Sequence, residues 1–340
     1  MNSMRSSQVS LVAAVLLALV GLVSAASAQT ESQTRDPADW LDRMGQAVEQ
    51  LNFRGTMVHI YRGEADSSKI VHRVADGVVT ERITALEDNG REIIRSNGTV
   101  TCIFPDQKMI LVEHQEQLER DSSPVMGQLP SFMEFDDDSY EIVMLGPGRA
   151  AGRECEVLSV HPRDGFRYGY RLWIDRATAM LLKSQLMDGQ DKVVEEILFT
   201  EISFPARISA REVEPSLEID SYTWSRPEPI LNRQIRLDDV DWRATDLPPG
   251  FVLSAVRTRK ATEDRGSMEQ LVYTDGLASV SVFIETGISA TEEVEGLSQI
   301  GAARAYTTTL QGCLITAVGD VPERTARMIG LSIRPVRTDH

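Results

Sequence analysis

The 340-residue chain contains only 3 cysteines, 5 histidines and 6% aromatic residues, and each scarcity removes a class of protein. Cys102, Cys155 and Cys313 are too few for a disulfide-stapled scaffold, and with no C-x-x-C among them they do not form a zinc knuckle. The histidines His59, His72, His114, His161 and His340 lack the H-E-x-x-H spacing that sets two imidazoles on one helix face, and no metal site is expected. Basic residues are also short, with 35 Lys and Arg against 51 Asp and Glu, a formal net charge of −16. A field of that sign repels phosphate backbones and anionic bilayers. Nucleic acid is therefore excluded as a partner, and a lipid, if bound, must be held by apolar surface.

Only one long apolar run occurs, Leu11 to Val23, preceded by Arg5 and followed by Ser24-Ala25-Ala26-Ser27-Ala28. It falls short of the roughly 20 residues that cross a hydrocarbon core. Ala26-Ser27-Ala28 fits an A-x-A cleavage site, so residues 1–28 are expected to be a signal peptide that is removed to leave a soluble, exported chain starting near Gln29. Export permits one disulfide. Cys102 and Cys155 lie in strand-like stretches of the first half and are the candidate pair, with two buried free thiols as the alternative.

Catalytic constellations are missing as well. No G-x-S-x-G elbow occurs. Gly146-Pro147-Gly148-Arg149-Ala150-Ala151-Gly152 misses the spacing of a phosphate loop and reads as a turn between strands. The acidic run Glu134 to Asp138 lacks the alternation and glycine of a calcium loop. No cofactor is implied, and a binding protein is expected rather than an enzyme.

What is present is regular. Trp40, Leu41, Met44, Ala47, Val48 and Leu51 recur at helical spacing just after Pro37, which predicts one amphipathic helix. After Gly55 the period changes to two, as in Met57, His59 and Tyr61, and stays so through Ile70–Val74, Val78–Leu86, Glu92–Arg95, Val100–Phe104 and Met109–Glu113. Asp76-Gly77, Asn89-Gly90 and Asn97-Gly98 are hairpin turn signals, which makes the sheet antiparallel. Residues Ser122 to Ser139 interrupt the rhythm as an apolar-faced insert. Strands resume at Tyr140–Leu145, Cys155–His161, Tyr168–Ile174, Met180–Met187 and Val193–Phe204, about eleven in all.

The fold class is thus mainly β (α+β), with a large curved sheet over residues 36–205. The charged, proline-bearing stretch 206–239 reads as a linker. A second domain over 240–338 is expected to hold strands at Phe251–Arg259, Met268–Tyr273, Ala278–Glu285, Ala303–Leu310 and Cys313–Val318, then a helix from Pro322.

A sheet of this size with one helix leaves part of its inner face uncovered, which favours an apolar pocket. The candidate lining is Phe104, Ile110, Met126, Leu129, Phe132, Met133, Met144, Trp173, Met180 and Leu182; methionine suits loosely specified apolar ligands. A second group has the aromatic and arginine composition of an interface: Arg167, Tyr168, Tyr170, Arg171, Arg257 and Tyr273.

Several segments resemble the RseB/MucB family. They include Leu51-Asn52-Phe53-Arg54-Gly55, Leu129-Pro130-Ser131-Phe132, Gly152 to Val157, the block Arg163 to Asp175, Leu247-Pro248-Pro249-Gly250-Phe251, Tyr273 to Val282, and Val318-Gly319-Asp320-Val321-Pro322. The likeness runs in order from about Trp40 to Ile333. It implies a LolA/LolB-like open antiparallel half-barrel with helical cover, plus a smaller antiparallel sheet-and-helix C-terminal domain. It further implies a periplasmic negative regulator of an envelope-stress sigma factor. Such a protein binds the periplasmic part of a single-span anti-sigma factor, shields it from regulated proteolysis, and lets go when lipid or lipopolysaccharide binds. A lipid or lipoprotein carrier is the competing reading. Exposed sheet edges also make a homo-oligomer an expected outcome.

Overall fold

The computed structural model describes residues 36–87, 90–114, 137–226, 240–259, 266–287, 295–300 and 302–336. The signal peptide and most of the Ser122 to Ser139 insert lie outside them, so Met126, Leu129, Phe132 and Met133 have no described position.

Helix α1 spans Pro37–Gln50, and its buried residues are those the spacing predicts, Trp40, Leu41, Met44, Ala47 and Val48. The chain then enters hairpin-linked strands: β1 (Phe53–Tyr61), β2 (Glu64–Ala75), β3 (Val78–Ala85), β4 (Glu92–Ser96), β5 (Thr99–Phe104) and β6 (Met109–His114). The second run is β7 (Tyr140–Ala150), β8 (Arg153–Pro162), β9 (Gly169–Asp175), β10 (Leu181–Met187) and β11 (Val193–Ser203). Positive φ at both residues of Asp76-Gly77 and of Asn97-Gly98 makes these the primed turns whose twist suits a hairpin.

With β12 (Thr223–Ser225) these strands form one open 12-stranded sheet, ordered β12-β6-β5-β4-β3-β2-β1-β11-β10-β9-β8-β7. The side chains of α1 share a core with Phe53, Met57, Ile70, Leu158, Leu172, Ile197 and Phe199, drawn from both halves of the sheet. A helix of this length is only about 21 Å long. The sheet therefore curls around it, and the face holding Phe53 and Met57 is the inner one.

The strand β7 continues through Ala150, so Gly146 to Ala150 are strand residues and the turn is only Ala151-Gly152. The glycines there serve packing. A Cβ on Gly148 would lie 2.5 Å from Val157 Cγ2 and 3.1 Å from Trp173 Cδ1, so its absence lets both side chains pack against the strand.

The expected linker is instead largely a strap on the outer face of the sheet. From Ala206 onward it crosses one strand after another: Arg54 pairs with Glu212 at 2.8 Å, Arg73 donates to the Ile208 carbonyl, Arg82 to the Glu214 carbonyl, and Ser216 N–H to Glu92. Leu217, Ile219 and Tyr222 then cover Ile103, Ile110 and Val112, and β12 ends the strap as a parallel edge strand beside β6. The stretch lacks a long periodic run, which is why it reads as a linker in the sequence.

The second sheet is ordered β14 (Val252–Arg259), β15 (Met268–Thr274), β16 (Ser279–Glu285), β19 (Cys313–Gly319), β18 (Ala303–Leu310), β17 (Gly296–Ile300). Strand β17 escapes the periodicity reading. A two-stranded ribbon, β13 (Trp242–Ala244) with β20 (Ile333–Pro335), and helix α2 (Glu323–Ser332) close one face, burying Ala326 and Ile329. Gly330 allows the close approach of that helix, since a Cβ there would meet Tyr306 Cδ1 at 2.8 Å.

All three cysteines are free thiols. Cys102 on β5 and Cys155 on β8 stand eight places apart in the strand order, which corrects the expected pairing and supports the free-thiol alternative.

Candidate functional site

The inner face of the sheet carries a cavity of about 430 Å³. Met57, Ala85, Phe104 and Pro105 give it apolar lining, while polar lining comes from residues such as His59, Asp66, Ser68, Glu87 and Arg91. Deeper on the same face, His72 Nδ1 lies 2.7 Å from Glu81 Oε1, and the Phe53 ring stacks on the imidazole at 4.7 Å. His59 is a half-buried imidazole on β1. Its Nε2 meets Glu195 Oε1 at 2.5 Å, and that bond, reinforced by the surrounding carboxylates, raises its pKa above 6.5 against the opposing effect of burial.

Among the expected pocket residues that are described, only Phe104 lines this cavity. Ile110 faces away. The β5–β6 register pairs Phe104 with Met109 and Ile103 with Ile110, so Ile110 is on the outer face beneath the strap. Met180 and Leu182 are fully buried in the α1 core, and Met144 packs against that core from β7. Trp173 is on the outer face with Lys183 over its ring at 4.8 Å, opposite Leu172 and Ile174. Alternation identifies apolar positions but not which of the two faces holds open space.

The second locus is the seam where the two sheets meet, and Arg167 is its centre. Its side chain is fully buried and donates to Asp164, to Asp275 of the second domain and to the Pro249 carbonyl. The guanidinium also stacks over Tyr140 and Phe251, with 5.5 and 5.2 Å to the ring centroids. Asp275 accepts a further bond from the Tyr140 hydroxyl at 2.9 Å, while its other oxygen takes the backbone N–H groups of Leu277 and Ala278. Burial and the neighbouring Asp275 push the Tyr140 phenol far above its ordinary range, so it remains a donor. Alongside, Arg324 donates to the Gly165 carbonyl and Thr325 Oγ1 to the Phe166 carbonyl at 2.6 Å. At the far end, Ala302 packs with Tyr168 and Leu186, joined by Tyr61, Tyr170 and Val194.

Arg167 is thus an internal clasp and not the free partner contact its composition suggested. Tyr168 is in the seam too, with Tyr170 packed beside it; Arg171 points to the opposite face of β9. Tyr273 is a core residue whose hydroxyl accepts the Ala244 N–H at 2.8 Å, and Arg257 sits half-buried beside Gln270 on the other face of that sheet. The six candidates therefore form no single surface. Sequence reasoning missed Tyr140, Asp164 and Asp275. The available signal was that two segments carrying the family likeness, Arg163–Asp175 and Tyr273–Val282, each hold a charged residue beside a glycine turn; in the fold they meet.

Comparisons with known proteins cover both sheets. Residues 36–217 match the MucB/RseB N-terminal domain and residues 236–334 the MucB/RseB C-terminal domain. The chain is 33% identical over 309 residues to the sigma factor AlgU regulatory protein MucB of Pseudomonas aeruginosa, spanning 89% of this chain and 92% of that protein. It is 24% identical over 296 residues to the sigma-E factor regulatory protein RseB of Haemophilus influenzae, spanning 85% and 88%. The crystal structure of MucB in complex with MucA(peri) aligns with a TM-score of 0.69 at 31% identity, covering 89% of this chain and 100% of that one. The crystal structure of MucB aligns with a TM-score of 0.61 at 29% identity, covering 88% and 98%.

Proposed function

The chain belongs to the MucB/RseB family, and from that premise we propose that it is an exported negative regulator that binds the periplasmic segment of a single-span anti-sigma factor. Held by this protein, the segment is shielded from regulated proteolysis. Lipid or lipopolysaccharide triggers release, because a ligand preferring the partner-free state shifts the population by its differential affinity. The observation that carries the reading is the likeness, over both domains, to a relative solved in complex with MucA(peri). The partly apolar cavity around Met57, Ala85 and Phe104 supports a place for an acyl chain on the inner face. Its mixed polar and apolar lining suits an amphiphile better than a purely apolar ligand. We assign no catalytic role to any residue.

The test is a pulldown with the mature chain from Gln29 onward against the detergent-solubilised envelope of its own bacterium, eluted by lipid and read by mass spectrometry. The expected result is one single-span protein with a cytoplasmic sigma-binding domain, released by lipid. Recovery of lipid alone, or of many lipoproteins, would establish a carrier instead and leave the second domain unexplained.

A further inference from the structure

At the far end of the seam two hairpins meet. The first domain contributes Tyr61 and Arg62 of the β1–β2 hairpin, and the second contributes Gln299 of β17 and its cross-strand partner Arg304 of β18. Arg304 donates to Gln299 Oε1, and Arg62 donates to the same oxygen from across the seam at 2.5 Å. The Gln299 amide in turn donates to the Tyr61 hydroxyl, and the Arg62 guanidinium lies over the Tyr61 ring, 5.5 Å from its centroid. Arg62 is exposed; Arg304 is half-buried, and its Nε is enclosed without an acceptor. Two positive charges thus converge on one neutral carboxamide oxygen, which accepts hydrogen bonds but offsets no charge. In a chain with 51 acidic residues against 35 basic ones, that is an exception, since carboxylates are in surplus and Arg167 of the same seam has two of them. Neither Arg62 nor Arg304 forms an ion pair with any described residue. Nearby acids are engaged elsewhere or point to solvent: Glu195, opposite Tyr61, holds His59; Glu295, just before β17, accepts from the Tyr306 hydroxyl and Arg327; Glu64, at the hairpin, is exposed.

We propose that Arg62 and Arg304 form a phosphate-binding site that bridges the two domains, with the Tyr61 hydroxyl as a third donor. The charge selects the ligand class. A carboxylate brings one negative charge and balances one guanidinium, whereas a phosphate monoester brings about −1.5 to −2 at pH 7 and three acceptor oxygens. The planar guanidinium fork also matches phosphate geometry. The phosphate takes the place of Gln299 Oε1 as the shared acceptor, and the Tyr61 hydroxyl, which accepts from Gln299, has its own proton to give. Because the two arginines come from different domains, the bound anion ties the β1–β2 hairpin to the β17–β18 hairpin. It adds a ligand-dependent fastening to the permanent one at Arg167. His59, which lines the inner-face cavity, precedes Arg62 by three residues on the same strand and turn. A phosphate therefore reaches the site either free or as the headgroup of a lipid whose chain lies in that cavity. The inference does not rest on release of a partner by lipid.

Calorimetric titration of the full mature chain in low-salt buffer tests the site, with inorganic phosphate, dioctanoyl phosphatidic acid and, as an uncharged control, dioctanoylglycerol. No anti-sigma segment is present, so the outcome is separate from that of the regulatory reading. Saturable binding of the phosphate group is expected. It should weaken roughly tenfold or more in Arg62→Gln, at an exposed position, and in Arg304→Gln. Arg211→Gln, at an exposed position on the strap, should leave it unchanged. Phosphatidic acid binding more tightly than both phosphate and dioctanoylglycerol assigns the site to a lipid headgroup, and equal affinity for phosphate and phosphatidic acid assigns it to free phosphate. The proposal is overturned if neither phosphate compound binds saturably, if folded Arg62→Gln binds as the wild type does, or if Arg211→Gln loses as much affinity. Binding of an oligoglutamate peptide in place of phosphate would give the two arginines to a protein partner and overturn it as well.

Discussion

Glu269 offers a strong test of the physical reading of the second domain. It lies on the core face of β15 in line with Leu271 and Tyr273, and is only 9% exposed. Burial, with Asp241 nearby, pushes its carboxyl from 4.5 up to about 7, against a hydrogen bond accepted from the Trp242 backbone N–H. An acid whose pKa rises on folding binds its proton more tightly in the native state, so the domain is unpenalised below pH 4.5 and loses stability as pH climbs to about 7. At about 1.4 kcal/mol per unit, the full loss has a ceiling of roughly 3 kcal/mol. Glu269→Gln keeps an acceptor for Trp242 and cannot ionise. The variant should therefore be more stable than the wild type at pH 8, by up to that ceiling, and indistinguishable from it at pH 4. The assay is urea dependence of hydrogen exchange over residues 268–285, which isolates the second domain from the first. A gain of equal size at both pH values, or none at pH 8, would refute the assignment of Glu269 as a buried, strained acid.

Further outcomes follow from the seam and the large sheet. Arg167→Met should cost roughly 3–5 kcal/mol, because it strands the buried Asp275 carboxylate and removes the partner of the partly exposed Asp164. Adding Asp275→Asn should recover part of that loss, with a coupling above about 1 kcal/mol in a double-mutant cycle by urea unfolding. Gly148→Val drives a side chain into Val157 and Trp173 and should cost roughly 1–3 kcal/mol in thermal unfolding, whereas Gly189→Ala, with no atom within 4 Å of the added Cβ, should be close to neutral. Burial acts to raise Asp175, but hydrogen bonds from Arg153 and Thr178 outweigh it and hold the carboxyl below 3.8. That stability is present above 3.8 and lost as pH falls below it. Asp175→Asn should therefore destabilise at neutral pH, by roughly 1–3 kcal/mol, with a difference that shrinks on acidification.

Local physics made the hairpins legible. Period-two alternation and the Asp-Gly and Asn-Gly dipeptides locate β1 to β11 of the large sheet, though β2 begins six residues before the expected Ile70 and β7 runs five past Leu145, and the spacing from Trp40 to Val48 places the helix that covers it. Features decided by long-range register were not legible. Whether Ile110 faces the cavity or the strap depends on the pairing set by the Pro105–Lys108 turn, which no single strand reveals. The strap itself carries its apolar contacts at Leu217, Ile219 and Tyr222 within an otherwise charged stretch, so it has no period to detect. Arg167 illustrates a further limit. An arginine among tyrosines has interface composition, and here the interface is internal, between the domains of one chain. The distinction rests on Asp275, which is 108 residues away in sequence.

The most direct test of the central claim is calorimetric titration of the purified mature chain with the periplasmic segment of its own bacterium's anti-sigma factor, without and then with lipopolysaccharide. The expected result is saturable binding that weakens as lipid is added. Absence of binding, or an affinity that lipid leaves unchanged, would contradict it.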